Sequence, residues 1–100
     1  MPGSGSAIRE RSEYRTRRPS KYNVIILNDD FTPMDFVTQA LESIFRLSRT
    51  ESVAIMLDIH KRGKGVLGPY SYDLAKTRCR RLMESARAEG FPLRADVEKA

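Results

Sequence analysis

The run Tyr22-Asn23-Val24-Ile25-Ile26-Leu27 constrains this chain more than any other segment. It is short, nearly all apolar and β-branched at Val24, Ile25 and Ile26, the pattern of a strand buried on both faces or central in its sheet. With 100 residues in all, the chain has material for one domain and one hydrophobic core, and little room for a catalytic cleft between domains. No apolar run approaches the roughly 20 residues that cross a bilayer, so a soluble protein without a membrane partner is expected.

The remaining elements are read outward from that strand. Asn28-Asp29-Asp30 breaks it with side chains that favour turns. Thr32 has the character of an N-cap, with Pro33 at the first helical position and Asp35 near the positive end of the helix dipole. Phe36, Val37, Ala40, Leu41, Ile44 and Phe45 then recur at helical spacing, which predicts a first helix ending near Arg46. Ser48 and Glu51 form an S-x-x-E capping pattern, and a second helix with an apolar stripe of Val53, Met56, Leu57 and His60 should stop at Gly63.

Lys64 to Tyr70 is a glycine-broken strand, bent or at a sheet edge because of Pro69. Ser71 caps a third helix whose Leu74, Ala75, Arg78, Cys79, Leu82 and Ala86 share a face until Gly90. The alternation from Leu93 to Glu98 has the period of a half-buried strand. The order β-α-α-β-α-β predicts a small α+β domain over 21–100, a three-stranded antiparallel sheet with three helices on a face.

Residues 1–20 contain Gly3-Ser4-Gly5-Ser6 and few large apolar side chains, and are expected to form a flexible extension. They lack the apolar stretch of a secretory signal, and their five arginines against two glutamates supply +3 of the chain's net +5. Cys79 is the only cysteine, which excludes an internal disulfide, a zinc ribbon and a C-x-x-C redox pair. A reducing, cytoplasmic setting fits.

Few residues offer chemistry. His60 is the only histidine, and so the one side chain whose ordinary titration falls near neutrality. A histidine at the rim of the core, held by a backbone group, and a functional histidine both fit its position. Asn28, Asp29 and Asp30 cluster where a strand ends, a common place for ligands, although a plain turn needs the same residues. Asp29, Asp30 and His60 lack the spacing of a recognised metal motif. There is no G-x-S-x-G elbow, and Cys79 falls inside an amphipathic helix, where packing is its expected role. The basic balance, with Arg78, Arg80, Arg81 and Arg87 on the third helix, keeps a nucleic-acid-associated domain as the alternative reading, but no RNP or helix-turn-helix pattern accompanies it.

From Lys21 to Ala100 the wording and order of the chain resemble the ClpS adaptor family, the bacterial recognins of the N-degron pathway. The densest segment is Asn28-Asp29-Asp30-Phe31-Thr32-Pro33-Met34-Asp35-Phe36-Val37, similar to the family's Asn-Asp-Asp-Tyr/Phe-Thr-Pro-Met-Glu/Asp-Phe-Val signature. Met56-Leu57-Asp58-Ile59-His60, Pro92-Leu93 and Glu98-Lys99-Ala100 follow in the family's order.

The resemblance implies a non-enzymatic adaptor that binds N-degron proteins, those beginning with Leu, Phe, Tyr or Trp. It implies that Asn28 and His60 bind the free α-amino group with help from Asp29, and that Met34, Val37, Met56, Ile59 and Leu93 wall an apolar slot. Asp30 and Thr32 would shape its rim. Delivery would be to the N-terminal domain of a ClpA-type unfoldase of the ClpAP protease, through a surface including Tyr70, Asp73 and Arg78, with the extension engaging the unfoldase. A monomer without metal or cofactor is expected. Valine commonly stands in the family where this chain has Ile59, so the extra methylene predicts a shallower slot. Pro69 is a second departure.

Overall fold

The computed structural model describes residues 20–100, so the expected extension, apart from Ser20, lies outside the described residues. Strand β1 (Tyr22–Leu27) is followed by helices α1 (Met34–Ser43) and α2 (Arg49–Arg62), strand β2 (Lys64–Tyr70), helix α3 (Tyr72–Ala88) and strand β3 (Arg94–Lys99). The strands form one antiparallel sheet in the order β2-β1-β3. The apolar run is therefore central, and the strand containing Pro69 is at an edge, where a missing N–H costs least. The pairing of β1 with β2 slips between Tyr22 and Val24, which places the irregularity opposite Gly68-Pro69.

One face of the sheet carries the core. Val24 is paired with Leu67 and Val97, and Ile26 with Gly65 and Ala95, so strand alternation puts these side chains on the same side. Against them pack Val37 and Leu41 of α1, Ile59 of α2, and Ala75, Cys79, Leu82 and Ala86 of α3. Ile26, Leu41, Leu82 and Leu93 are almost fully buried, each stabilising the fold by about 1.5–3 kcal/mol relative to exposure. Among the described residues no helix is long and apolar enough to cross a membrane.

Local stops and starts follow their chemistry with some corrections. Ser48 and Glu51 form the reciprocal capping box, and Gly63, at φ 88°, ends α2 in the left-handed region that glycine enters without steric cost. Ser71 caps α3 through the Leu74 N–H. Thr32, however, is not the cap of α1. That position belongs to Pro33, and Thr32 lies in the turn before it, its hydroxyl donating to Asp29 at 2.7 Å. Helix α1 also stops at Ser43, before Arg46, whose φ of 58° cannot continue a right-handed helix.

The buried seam of α2 is rotated from the expected one, and that of α3 is the expected face narrowed to four residues. In α2 the seam is Ser52, Ile55, Met56 and Ile59, leaving Leu57 and His60 exposed. In α3 it is Ala75, Cys79, Leu82 and Ala86. Leu74, about 100° around the helix from Ala75, is 40% exposed. A small polar residue, Ser52, holds a core position that hydrophobic spacing alone would not assign.

Ser52 is fully buried, and its hydroxyl has no hydrogen-bond partner among the described residues. Ser52→Ala removes that unpaired group and adds a better helix former, so it is expected to stabilise the protein by about 1 kcal/mol. Urea denaturation checks this. A folded variant with an unchanged or lower midpoint would show that the hydroxyl is satisfied in solution.

Candidate functional site

Where β1 ends, the chain turns sharply. The Asn28 N–H donates to the carbonyl of Gly63 at 2.9 Å, tying the end of the central strand to the last turn of α2, which carries His60. Asp29 organises the next residues. Its Oδ1 accepts the N–H groups of Phe31 and Thr32, both at 2.8 Å, and its Oδ2 accepts the Thr32 hydroxyl. This closed turn delivers the chain to Pro33 in an extended conformation, from which α1 begins at Met34.

Burial pushes the Asp29 carboxyl up, but the Thr32 hydroxyl, the Phe31 and Thr32 N–H groups and the nearby charge of Arg87 outweigh it and hold the carboxyl below its ordinary value. The carboxylate's contribution to the turn is thus complete above the ordinary value of 3.8 and is lost as pH falls from there through the lowered one.

The turn, α1, α2 and the segment before β3 line an open-mouthed pocket, with about 260 Å³ of empty space counting that open to solvent. Met34 and Val37, one helical turn apart on α1, form one side. Met56 and Ile59 of α2 form another, and Leu93, 1% exposed, closes the apolar part. Asn28, Asp29, Thr32 and His60 supply the polar lip. An apolar slot capped by a few convergent polar groups suits a ligand with a hydrophobic body and a polar head.

Nine of the ten expected pocket and rim residues therefore meet here: Asn28, Asp29, Thr32, Met34, Val37, Met56, Ile59, His60 and Leu93. Asp30 does not line the slot. It borders a second depression beside the slot, shared with Asn28, Asp29, Thr32, Pro33, Met34 and His60. Leu27 lines the slot and was missed by the sequence reading. Its signal was its place as the last apolar residue before the polar cluster. His60 is exposed on the lip, which corrects the alternative of a histidine held in the rim of the core.

Tyr70, Asp73 and Arg78 sit at the opposite end of the sheet, where Tyr22 pairs with Tyr70. There the Arg78 guanidinium lies 5.0 Å from the centre of the Tyr70 ring, and Asp73 is in the first turn of α3. Among the described residues no three His, Cys, Asp or Glu side chains converge in a way that would hold a metal ion. Cys79 is buried in α3, where burial and the charge of Asp96 push its thiol up, away from the reactive thiolate.

A family model described as ATP-dependent Clp protease adaptor protein ClpS matches residues 17–96. The chain is 43% identical over 97 residues to the ATP-dependent Clp protease adapter protein ClpS of Caulobacter vibrioides (strain NA1000 / CB15N), an alignment covering 97% of this chain and 89% of that protein. It is 41% identical over 95 residues to the protein of the same name from Burkholderia mallei (strain SAVP1), covering 95% and 91%. Among solved structures, Agrobacterium tumefaciens ClpS2 bound to L-phenylalaninamide is similar with a TM-score of 0.80 and 35% identity, over 83% of this chain and 100% of that one.

Behind the α2 wall, Gly65 of β2 leaves no room for a side chain. A Cβ there would lie 2.6 Å from Cγ1 of Ile59 and 3.2 Å from Cγ2 of Ile55. Gly65→Ala should push Ile59 into the slot and destabilise the fold by about 1–3 kcal/mol. Thermal unfolding and the Ile59 methyl resonances read both effects. A variant of wild-type stability with unmoved Ile59 methyls would show that β2 yields instead.

Proposed function

This chain belongs to the ClpS family of Clp protease adaptors, and on that premise we propose that its pocket captures the free α-amino group and the bulky first side chain of a protein N-terminus. The preferred first residues are Leu, Phe, Tyr and Trp. The observation that carries the reading is the joining of one apolar slot to one polar lip, with Asn28, Asp29 and His60 at the mouth and Met34, Val37, Met56, Ile59 and Leu93 within. The solved Agrobacterium relative bound to L-phenylalaninamide supports it, since that ligand has the same two parts, a free amine and a large apolar side chain.

An N-terminal ammonium has three N–H donors, so its site needs two or three acceptors converging on one point. The Asn28 amide oxygen and a neutral His60 ring nitrogen serve as two. Asp29 already accepts three hydrogen bonds from its own turn, and its negative charge attracts the ammonium while a water takes the third proton. Asp30 and Thr32 act at the rim on the following backbone. A blocked amine leaves the acceptors unpaired, which supplies selectivity for a free N-terminus.

In this proposal the protein has no catalytic turnover. It works as a cytoplasmic monomer and hands its cargo to the N-terminal domain of a ClpA-type unfoldase, docking through the Tyr70, Asp73 and Arg78 end of the sheet. Residues 1–20 assist that transfer.

Fluorescence anisotropy tests the binding step. Peptides beginning with Phe or Leu should bind roughly tenfold or more tighter than the same peptides beginning with Ala, and N-acetylation should abolish binding. Salt-sensitive binding of a nucleic-acid probe, with no dependence on the peptide's first residue, would overturn the proposal. His60→Ala should bind the Phe and Leu peptides more weakly, whereas an unchanged affinity in the folded variant would remove His60 from the amine site.

Met34 opens α1 and is 48% exposed where the slot meets the neighbouring depression. Met34→Ala should widen the mouth and admit peptides beginning with Ile or Val, at little cost in stability. Unchanged selectivity in the folded variant would assign Met34 to packing alone.

A further inference from the structure

The segment that brings Leu93 to the slot is held by one guanidinium. Helix α3 ends at its C-cap Glu89, Gly90 reverses the chain at φ 81°, and the Phe91 N–H returns to the Ala86 carbonyl at 2.8 Å. Pro92 has no N–H, and β3 first pairs with β1 at Arg94, opposite Leu27. The carbonyls of Phe91 and Leu93 thus lie between a helix that has ended and a strand that has not begun. Both are taken by Nη1 of Arg87, at 2.9 and 2.7 Å, in hydrogen bonds strengthened by the donor's charge.

The two residues so held serve the pocket in different ways. Leu93 is a slot wall. The Phe91 ring meets the Phe36 ring of α1 edge-on, with centroids 5.2 Å apart and planes at 71°, and Phe36 directly precedes the slot residue Val37. The charge of Arg87 also helps to hold the Asp29 carboxyl below its ordinary value. Arg87 itself is exposed and does not line the slot.

From this geometry we infer that Arg87 is a positioning residue of the pocket: by holding the Phe91 and Leu93 carbonyls it sets the depth at which Leu93 meets a bound first side chain, and so tunes which bulky residues fit. The inference deepens the peptide-binding reading above and rests on it. It assigns a specificity role to a charged surface residue outside the pocket's own lining.

The test compares Arg87→Met, which keeps the stem and removes every donor, with Arg87→Lys, which keeps the charge on a shorter reach. Arg80→Met, on the same helix beside a groove away from the slot, is the control. Peptides beginning with Phe, Trp and Leu are titrated into each folded protein, and the Leu93 methyl resonances are recorded without peptide. Arg87→Met is expected to lose roughly tenfold in affinity for Phe peptides, with the Phe-to-Leu ratio altered and the Leu93 methyls moved. Arg87→Lys should fall between it and the wild type, and Arg80→Met should match the wild type.

An unchanged Phe-to-Leu ratio with unmoved Leu93 methyls would overturn the inference, as would an equal loss for all three peptides with those methyls in place. If Arg87→Met does not fold, Arg87→Lys is judged by the same two criteria. A wild-type protein that fails to prefer Phe over Ala peptides would instead refute the peptide-binding reading. The Leu93 methyls of the free variants would then still decide whether Arg87 positions that wall.

Discussion

The hydrogen bond from the Asn28 N–H to the Gly63 carbonyl is the joint on which the rest of the molecule turns. It closes the last position of the central strand with the end of a helix, so that the strand's first polar residues and that helix's last turn share one small volume. The bond requires α2 to stop at Gly63, which only a residue at ease with φ 88° does without strain. It also requires β2 to leave at once as an edge partner of β1, which Lys64 does opposite Leu27. Asn28 and His60, 32 positions apart in the chain, become neighbours on one lip as a consequence.

Much of this was legible in the sequence because the signals were local. The apolar run fixed a central strand with its observed bounds, and the reciprocal pair of Ser48 and Glu51 announced α2. Thr32 misled for a physical reason. Its spacing is that of a cap, but Asp29, three residues back, draws it into an earlier turn, where the Thr32 N–H and hydroxyl both donate to that carboxylate. The seam of α2 was misread because the fully buried Ser52 carries no hydrophobic signal. Leu27 escaped notice because an apolar residue at a strand's end reads as sheet core, and only the turn after it makes it a pocket wall.

The two ends of the sheet have different characters. At the Leu27 end a tight polar turn faces an apolar slot. At the Tyr22 end the surface is aromatic and charged, with Tyr22 against Tyr72 at 5.0 Å and Arg78 over the Tyr70 ring. Tyr72 and Leu74 are exposed there on α3. A broad surface of aromatic and arginine side chains resembles the composition of protein interfaces rather than of small-ligand pockets. Because β1 spans the whole distance between the ends, the slot and the aromatic surface do not overlap.

If the slot takes a protein N-terminus as proposed, selectivity divides between its two kinds of wall. A large first side chain gains about 1.5–3 kcal/mol by burial, a reward that any greasy cleft would give to any hydrophobe of suitable size. The polar lip adds a penalty: burying acceptors without a donor costs about 1–3 kcal/mol, so a chain lacking a free amine forfeits what its side chain gains. Size discrimination then depends on how little the apolar walls can yield. Ile59 has the β2 backbone at Gly65 directly behind it, with no space even for a methyl group, and Leu93 is carried by a turn whose carbonyls are held by Arg87. Walls backed by main chain and by charged hydrogen bonds cannot retreat to accommodate extra bulk. Met34, half-exposed at the mouth and free of such backing, is the side chain left to adapt.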